Sequence, residues 1–560
     1  MNYDPRFEET NGDAKLPYRK ITRLISRNPT SSDQAAVGQW DAVTLRDLLS
    51  SSMAGDQIIV VSNRQPFTLD RVNGDVTMTQ PASGLVTALE PVVRACNGTW
   101  IAHGSGNSDR DFVDAADRCP APATDGAYTL RRVWLSPEEQ RGYCDGFSNS
   151  GLWPLCHMVH VRPVFRESDW QQYRAVNARF ADAVVREARG PNPIVLVQDY
   201  HLALVPALVR AQLPHATIVS FWHIPWTHPD QMGVCPWLSD LLEGMLGSDI
   251  VGFQTPQHQR NFVDLAQRSG KVVRQAVVPE IVQRSHSTQV RDYPISIAWP
   301  KALEVATLPT AEAGSRDARP TWSLGSQSKL IVGVDRFDYT KGIIERMHAF
   351  EQLLDTQPQW QGKVRLVQIA APTRTGLKEY TDFQNQVFSE VARINAKFAS
   401  SGDAPIVLLD AHHDRLAVDA LYRAADVCLV TSLHDGMNLV CKEFVAARDD
   451  EQGVLVLSQF AGAANELGRA LIVNPYHTVQ VAAAIHQALC MPPEEQRQRM
   501  CALRSTVKRA NVYRWAASML LDAAAIRAPA QDISTHALPF MQKVAPLRQV
   551  IRMQCRVANA

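Results

Sequence analysis

The sequence of 560 residues has no excess of charge of either sign and no long hydrophobic run. Its 57 Lys and Arg residues balance 57 Asp and Glu residues, so the formal net charge is zero. Proteins that neutralise phosphates on nucleic acids or membrane surfaces usually carry an excess of Lys and Arg, so the balance argues against both classes. No run reaches the roughly 18 to 20 apolar residues that a membrane-spanning helix needs.

Paired cysteines and a leader segment are also missing. The ten cysteines form no CxxC pair and no cluster with zinc spacing, which favours buried thiols in a reducing compartment. The acidic, polar start of the chain is unlike a signal peptide. We therefore expect a soluble, cytoplasmic protein without a metal site.

Several common catalytic signatures are absent as well. The chain has no GxxxxGK[ST], no GxGxxG between a strand and a helix, no HExxH and no GxSxG. These absences argue against P-loop NTPases, ordinary dinucleotide oxidoreductases, zinc peptidases and α/β hydrolases. The glycine-rich segment 104–109 follows only a short apolar run and is a weak candidate for a ligand loop.

The sequence does contain many short, β-branched apolar runs that alternate with helical patterns. Nearly continuous runs of this kind are typical of parallel strands buried on both faces of a sheet, so we predict an α/β fold. The runs are QIIVVSN, IVLVQDYH, TIVSFWHIP, DIVGFQT, LIVGVDRFDY, VRLVQIAAP, IVLLDA, VCLVTSL, VLVLSQF and LIVNPY.

A segment rich in Pro, Gly, Ala and Ser interrupts this order at 301–327, and we place the domain boundary there. A chain of this length is expected to contain at least two domains. The predicted organisation is a mobile extension with one short helix at 1–55, a first α/β domain at 56–300, a linker at 301–327, a second α/β domain at 328–504, a terminal helix at 505–528 and a tail at 529–560.

Six of the apolar runs are followed directly by charged or hydrogen-bonding residues. Ligands bind beyond the carboxyl ends of strands in open parallel sheets, so these residues are expected at one interdomain cleft. The residues are Arg64, Asp199, His223, Arg336 with Lys341, Arg374, and the segment 434–438. Four of them are cationic, which suits a phosphorylated ligand.

The segment 433–448 predicts a ligand-binding helix start. Asp435 and Gly436 precede a helical pattern, and the free N–H groups of the next residues would point outward at the positive end of the helix. Such an arrangement binds sugar hydroxyls or diphosphate oxygens. Glu443, two turns further on, could accept both hydroxyls of a ribose, and a capped surface helix with a solvated Glu443 is the alternative.

Ten motifs, in order, resemble the trehalose-6-phosphate synthase family of retaining glycosyltransferases, family 20. The motifs are VSNRQPF, SGLVTALEP, FSNSGLWPLCH, VQDYHLALVPALVR, FWHIPW, LLEGMLGSDIVGFQT, VDRFDYTKGIIER, AAPTRT, VTSLHDGMNLVCKEFVAAR and LVLSQFAGAANELGRALIVNP. The resemblance covers about residues 57 to 525. It implies a GT-B fold, in which two Rossmann-like domains face each other across a cleft and a final helix crosses back to the first domain.

The resemblance also implies roles for individual residues. For the donor it implies diphosphate binding by Arg336 and Lys341, ribose binding by Glu443, and glucose binding by Asp435, Gly436, Met437, Asn438, Leu439 and Val440. His223 would lie at the reacting centre and Asp199 would order the acceptor. Arg64 and Arg374 would clamp the acceptor phosphate, with Trp153 lining the pocket.

Three departures from the family pattern fall on the acceptor side. Ser83 and Gly84 stand where the family usually has two glycines, His103 followed by Gly104 stands near a usual Trp, and Cys144 stands at a usual Tyr. They leave the acceptor open. The leading interpretation is transfer of glucose from UDP-glucose, or another NDP-glucose, to glucose 6-phosphate, with no cofactor or metal.

Two alternatives accompany this interpretation. The first is the same donor chemistry with a different phosphorylated acceptor, such as glycerol phosphate or a cyclitol phosphate. The second is a catalytically silent, sugar-phosphate-binding regulatory subunit. Neither nucleic acid nor a membrane is an expected partner, and a homo-oligomer is possible.

Overall fold

The structure is a computed structural model that describes residues 40–53, 56–80, 84–121, 127–283, 286–300, 328–399 and 404–527. Its strands form a ten-stranded sheet, a six-stranded sheet and one hairpin. We call described residues 56–300 the first lobe and 328–509 the second lobe. The predicted linker, the tail and residues 1–39 lie outside the described residues.

The first lobe is built on a mainly parallel sheet in the order β10-β11-β12-β9-β8-β7-β1-β4-β6-β5. Its strands are β1 Ile58–Ser62, β4 Thr99–His103, β5 Arg118–Ala121, β6 Tyr128–Val133, β7 Ile194–Gln198, β8 Thr217–Trp222, β9 Ile250–Phe253, β10 Val272–Arg274, β11 Glu280–Gln283 and β12 His286–Asp292; β2 Thr68–Val72 and β3 Asp75–Thr79 form the hairpin. Only the pairs β10·β11, β11·β12 and β5·β6 of this sheet are antiparallel. The strand order reverses between β1 and β7.

The second lobe contains a six-stranded, fully parallel sheet in the order β15-β14-β13-β16-β17-β18. Its strands are β13 Lys329–Arg336, β14 Val364–Ala371, β15 Ile406–Leu409, β16 Val427–Val430, β17 Val454–Ser458 and β18 Leu471–Val473. Counted along the chain this is the 3-2-1-4-5-6 order of a dinucleotide-binding fold, with its switch point between β13 and β16. The predicted GT-B architecture is confirmed.

Helices surround both sheets. They are α1 Ala42–Ser52, α2 Gly84–Cys96, α3 Pro137–Glu139, α4 Trp153–His157, α5 Glu167–Glu187, α6 Val205–Gln212, α7 Pro229–Met232, α8 Leu238–Met245, α9 Pro256–Arg268, α10 Ile343–Thr356, α11 Lys378–Phe398, α12 Arg415–Ala424, α13 Val440–Ala447, α14 Thr478–Cys490, α15 Pro493–Arg509 and α16 Val512–Arg527, with a π-helix at Gln140–Leu152 before α4. The helices bury apolar faces against the sheets, as the near-continuous strand patterns require.

All ten predicted apolar runs lie on strands. One helical detail differs from the prediction. The helix predicted at 505–528 is two helices, because Asn511 interrupts it: its side-chain oxygen caps the N–H groups of Tyr513 and Arg514 and its amide nitrogen donates to the carbonyl of Trp40. The extension contains helix α1, in agreement with the short helix predicted there, and its Leu45 is fully buried.

The lobes are joined by contacts as well as by the chain. Tyr339 and Tyr380 of the second lobe are part of the hydrophobic core cluster of the first lobe. Helix α16 returns to the first lobe, where Asp522 accepts a hydrogen bond from the hydroxyl of Tyr293 at 2.8 Å. Lys442 of α13 is buried and donates to the carbonyl of Ile295, in the segment that leaves the first sheet, at 2.8 Å.

Candidate active site

Three contacts bring the carboxyl ends of the two sheets together. His434 Nδ1, after β16, lies 3.0 Å from the carbonyl oxygen of His157 in the first lobe. Arg374, after β14, donates to the hydroxyl of Tyr200, which follows β7, at 3.2 Å. The switch points of both sheets therefore face the same cleft, where ligands of doubly wound sheets bind.

Gly436 makes the third contact, and it is the tightest. A Cβ atom at this position would lie 2.1 Å from the carbonyl oxygen of His223 in the opposite lobe. Gly462 in turn leaves room for the carbonyl of Gly436, since a Cβ there would lie 2.0 Å from that oxygen. The two glycines let three backbone segments meet at one point, which no larger residue permits without displacing a lobe.

Asp435 and Lys341 form the central ion pair of the second lobe. The Lys341 ammonium lies 2.6 Å from Asp435 Oδ2, and that oxygen also accepts from Ser432 and Asn438, each at 3.2 Å. Burial opposes ionisation of Asp435, but the charge and hydrogen bond of Lys341 hold its pKa at about 2. The Asp435 carboxyl is therefore ionised at neutral pH.

The segment after Asp435 leads into helix α13 as predicted. Asn438 adopts a left-handed conformation with φ of 72°, and its side-chain oxygen accepts from the backbone N–H of Cys441 at 3.3 Å. Met437 is buried, while Leu439 lies before the first helical residue, Val440. The positive end of α13 thus begins one residue beyond the left-handed bend.

Glu443 lies in the second lobe, behind this helix start. The hydroxyl of Tyr422 donates to its carboxylate at 3.5 Å, and the guanidinium of Arg415 acts on it electrostatically. Burial raises the pKa of Glu443 above its ordinary value. Glu443 is therefore partly buried and has a side-chain partner, which differs from the alternative of a fully solvated surface Glu.

Asp338 is a functional residue that the sequence reasoning did not include among the site residues. Its side chain is fully buried, 3.4 Å from the Arg336 guanidinium and 3.7 Å from that of Arg374. Burial opposes ionisation, but Arg336, Arg374 and Lys341 together lower the pKa of this carboxyl. Asp338 is the shared counterion of the basic cluster, and its position directly after the predicted strand is the signal that could have found it.

Arg374 is held between aromatic rings. Its guanidinium carbon lies 3.9 Å from the centre of the Trp153 ring and 5.2 Å from that of Tyr380. A guanidinium over an indole face is a favourable cation–π arrangement. The indole N–H of Trp153 is buried without a hydrogen-bond partner in the described part of the chain.

Arg64 approaches this cluster from β1. Burial, followed by the positive charges of Arg336 and Arg374, lowers the pKa of Arg64 to about 10. Cys144 lies beside them: its Sγ accepts from Asn149 at 3.4 Å, and its pKa is raised by burial and lowered in part by Arg374 and Arg64. Three arginines therefore crowd one region, which favours binding of an anion.

Asp199 and His223 follow adjacent strands of the first sheet. Asp199 has φ of 75°, and its Oδ1 accepts from the backbone N–H groups of Tyr200 at 3.0 Å and His223 at 3.2 Å. Burial raises the pKa of Asp199 to about 6. His223 contacts Gln198 through Nε2 at 2.8 Å, and burial lowers its pKa to about 3, so its imidazole is neutral.

Comparison with known proteins identifies the family of this chain. A family model described as Glycosyltransferase family 20 matches residues 56–525. The chain belongs to glycosyltransferase family 20. It is similar to the trehalose-6-phosphate synthase of Mycolicibacterium vanbaalenii, at 39% identity over 85% of this chain and 97% of the relative.

Solved structures of family 20 enzymes show the same fold. An α,α-trehalose-phosphate synthase (UDP-forming) from Burkholderia xenovorans in complex with glucose-6-phosphate is 33% identical, with a TM-score of 0.74 over 83% of this chain and 99% of that one. A structure from E. coli bound with UDP-2-fluoro glucose is 32% identical, with a TM-score of 0.73 over 84% of this chain and 99% of that one. This family 20 protein is a hexosyltransferase.

Most of the predicted site residues of this family 20 enzyme line the cleft. Those that the cleft brings together are Arg64, Cys144, Trp153, Asp199, His223, Arg336, Lys341, Arg374 and the segment 435–440. Gly84 reaches the cleft differently, because a Cβ there would lie 3.1 Å from the Leu439 side chain. Ser83 lies outside the described residues.

His103 is placed at the end of β4, in contact with a buried network. Its backbone N–H donates to the carbonyl of Asn63 at 3.2 Å, and burial lowers its pKa to about 4, partly offset by Asp109. Asp109 is itself fully buried and paired with Arg132 at 3.0 Å. The described contacts of His103 thus support the loops after β1 and β4.

Within the ranges given above, no three His, Cys, Asp or Glu side chains are grouped so that they could hold a metal ion. Among the helices of the same ranges, none is long and apolar enough to cross a bilayer.

Proposed function

We propose that this enzyme transfers glucose, with retention of configuration, from UDP-glucose or another NDP-glucose to glucose 6-phosphate, giving trehalose 6-phosphate. One observation carries the proposal: a single cleft holds two distinct cationic positions, Lys341 beside Asp435 and the arginine cluster of Arg64, Arg336 and Arg374. Two phosphorylated substrates need two such positions. The names and ligands of the related enzymes support the same pair of substrates.

On the donor side, Lys341 and Arg336 bind the diphosphate and stabilise the charge that the leaving group gains. Asp435 accepts hydrogen bonds from the glucose hydroxyls once Lys341 turns to the diphosphate. Glu443, held by Tyr422, accepts the ribose hydroxyls. These two cations replace the charge that a metal ion supplies in other transferases, so we propose that no metal is required.

On the acceptor side, Arg64 and Arg374 bind the phosphate of glucose 6-phosphate from opposite lobes. Asp199 orients the sugar hydroxyls, since both of its described backbone hydrogen bonds use Oδ1. The carbonyl of His223 lies at the meeting point of the lobes, beside Gly436. The acceptor hydroxyl attacks on the face that the diphosphate leaves, and a diphosphate oxygen takes its proton.

A second candidate keeps this donor and uses another phosphorylated acceptor, such as glycerol phosphate or a cyclitol phosphate. Cys144 favours it, because a small thiol lies beside Arg64 and Arg374 where the family usually has a tyrosine. A catalytically silent regulatory subunit fits less well, since the Lys341–Asp435 pair and Glu443 keep a complete donor side.

The test is a matrix of donors and acceptors. Purified protein is incubated with UDP-, ADP- or GDP-glucose against glucose 6-phosphate, glycerol 3-phosphate, inositol phosphate and free glucose, and products are identified by mass and by the anomeric couplings in NMR. We expect an α,α-linked disaccharide phosphate. A product with another acceptor only would establish the second candidate, and no turnover with any pair would overturn both.

A further inference from the structure

We propose that Tyr200 and Tyr380 are positioning residues that hold the Arg374 guanidinium in the orientation needed to bind a phosphate. Arg374 Nη1 donates to the hydroxyl of Tyr380, and Nη2 donates to the hydroxyl of Tyr200 at 3.2 Å. The proposal rests on the proposed function, in which Arg374 binds the acceptor phosphate. It assigns roles to two residues that the sequence analysis did not place in the site.

The direction of the Tyr200 hydrogen bond is fixed by its other partner. The Tyr200 hydroxyl donates its proton to Asn149 Oδ1 at 2.9 Å, so it can only accept from Arg374. Asn149 in turn donates from Nδ2 to the Cys144 sulfur at 3.4 Å. Tyr200 and Asn149 are both buried, so water does not compete for these bonds.

Tyr380 is fixed in a different way. It lies in the first turn of α11, is 2% exposed, and packs against Tyr339 with ring centres 5.1 Å apart. Arg374 itself has a left-handed backbone with φ of 48°, which directs its side chain back toward this helix start. Trp153 closes the opposite face of the guanidinium at 3.9 Å.

Two phenols suit this task better than two carboxylates. A guanidinium has five N–H donors in a rigid fork, and each phenol oxygen occupies one of them while leaving the others for a ligand. Burial raises the pKa of both Tyr200 and Tyr380, so both phenols stay neutral. They orient Arg374 without cancelling the positive charge that a phosphate needs.

The two tyrosines act on different lobes, so their loss has different consequences. Tyr380 and Arg374 belong to the second lobe and stay together when the lobes separate. Tyr200 belongs to the first lobe, so its contact with Arg374 crosses the cleft. The Tyr380 contact therefore orders the arginine at all times, whereas the Tyr200 contact couples its orientation to closure.

The experiment compares Tyr380→Phe, Tyr200→Phe, the double variant and Arg374→Ala, with Tyr173→Phe as control. The Tyr173 hydroxyl is also buried, but it donates to the Tyr200 carbonyl and not to Arg374, so its loss measures a purely structural effect. The measurements are acceptor KM, kcat, nucleotide Kd by calorimetry, and Tm.

We expect Tyr380→Phe to raise the acceptor KM about tenfold, as for one hydrogen bond to a charged group, with kcat and nucleotide Kd nearly unchanged. Tyr200→Phe should raise KM and also lower kcat, and the double variant should approach Arg374→Ala. Tyr173→Phe should lower Tm alone. Equal changes of KM and nucleotide Kd, or no change of KM in either single variant, would overturn the proposal.

Inorganic phosphate, titrated into the UDP-saturated protein, gives a readout that does not depend on the identity of the acceptor. We expect Tyr380→Phe to weaken phosphate binding in the same direction as Arg374→Ala. If glucose 6-phosphate proves not to be a substrate, this titration still decides whether the tyrosines position Arg374. Unchanged phosphate binding in Tyr380→Phe, in a protein whose Arg374→Ala variant binds phosphate poorly, would contradict it.

Discussion

The donor and acceptor sides of the cleft handle charge in opposite ways. On the donor side, Lys341 and Asp435 are paired at 2.6 Å, and the pKa of Asp435 lies near 2. On the acceptor side, Arg64 and Arg374 lie beside the donor-side Arg336, and Arg374 and Arg336 share the buried carboxylate of Asp338. There the pKa of Arg64 falls to about 10 because of burial and its two neighbours.

The two sides differ in what balances their charges. On the donor side folding supplies the opposite charge, and on the acceptor side a ligand supplies it. A buried ion pair completes itself when the chain folds, and removing one partner leaves an uncompensated charge. A cluster of like charges is completed only by an anion that arrives later. The donor side is therefore preassembled, and the acceptor side depends on the phosphorylated substrate for its electrostatic balance.

The largest expected effect comes from removing Lys341 on the donor side. We expect Lys341→Ala to lower kcat/KM about a hundredfold, since charge-assisted bonds contribute about 1.5 to 3 kcal/mol each, and to lower Tm because Asp435 loses its partner. Arg336→Ala should also cost most activity but lower Tm less than Lys341→Ala, since Arg374 still faces the buried carboxylate of Asp338. Kinetics and calorimetry measure both effects.

The control for Lys341 is Lys378→Ala, which removes an exposed lysine of the same lobe whose ion pair is with the exposed Asp382. It should keep both activity and Tm. A Lys341→Ala/Asp435→Asn double variant should recover Tm without recovering turnover. Near-normal turnover in either Lys341→Ala or Arg336→Ala would show that the donor diphosphate binds elsewhere.

Arg374→Ala tests the acceptor side alone. We expect an acceptor KM about 10- to 100-fold higher, an almost unchanged nucleotide Kd, and poor discrimination between glucose 6-phosphate and free glucose. The discrimination falls because free glucose no longer leaves a buried charge unpaired. If nucleotide binding weakens as much as acceptor binding, Arg374 belongs to the donor side and the division of the cleft is wrong.

Gly436→Ala tests whether both sides must meet. The added Cβ would lie 2.1 Å from the His223 carbonyl oxygen, so the lobes cannot close fully, and we expect kcat to fall about tenfold. Gly468→Ala is the matched control, because a Cβ there meets nothing within 4 Å. Similar kcat values for the two variants would remove the close approach from the catalytic argument.

Asp199 gives a smaller effect, visible in stability. Burial raises its folded-state pKa from 3.8 to about 6. Between these two pH values, the folded protein therefore holds a proton that the unfolded chain has released. The contribution of this group to stability is complete below pH 3.8 and is lost as the pH rises through about 6. Asp199→Asn, whose amide oxygen keeps both backbone hydrogen bonds, should therefore be more stable than the native protein at pH 8.

The matching measurement is the difference in the free energy of unfolding between Asp199→Asn and the native protein from pH 4 to pH 8. We expect this difference to be at most a few kcal/mol at pH 8 and to approach zero toward pH 4. A difference in the free energy of unfolding that is constant across this range would mean that burial does not raise the pKa of Asp199. The variant should lose activity at every pH.

Chelation is expected to have no effect. Since Lys341 and Arg336 supply positive charge at the diphosphate, turnover should be the same with excess EDTA as without it. Matched reactions with added Mg²⁺ or Mn²⁺ provide the comparison. Activity that disappears with chelator and returns with either ion would contradict the metal-independent mechanism.

The sequence predicted the central strands well and the outer strands poorly. Strand β6, Tyr128–Val133, was not recognised because it carries two arginines. Arg131 is paired with Glu187 at 2.7 Å and Arg132 with Asp109 at 3.0 Å, so both cations are buried inside the first lobe. A hydrophobic pattern cannot reveal a strand whose burial depends on partners distant in sequence.

Site residues were predictable where they follow a strand directly. Arg64, Asp199 and Arg336 were found in this way, from the rule that parallel strands deliver ligand-binding groups at their carboxyl ends. Tyr380 was not, because its contact with Arg374 depends on how α11 starts after a loop. Tyr200 was passed over between two more conspicuous residues, and its role depends on the opposite lobe.

The buried ammonium of Lys442 has a mechanical consequence. Lys442 holds the Ile295 carbonyl, while the Ile295 N–H donates to Gln254, whose amide lies 3.4 Å from the His223 carbonyl. Ile295 is thus tied both to the donor helix α13 and to the point where the lobes touch. We therefore expect any displacement of α13 to be transmitted through Ile295 and Gln254 to the carbonyl of His223.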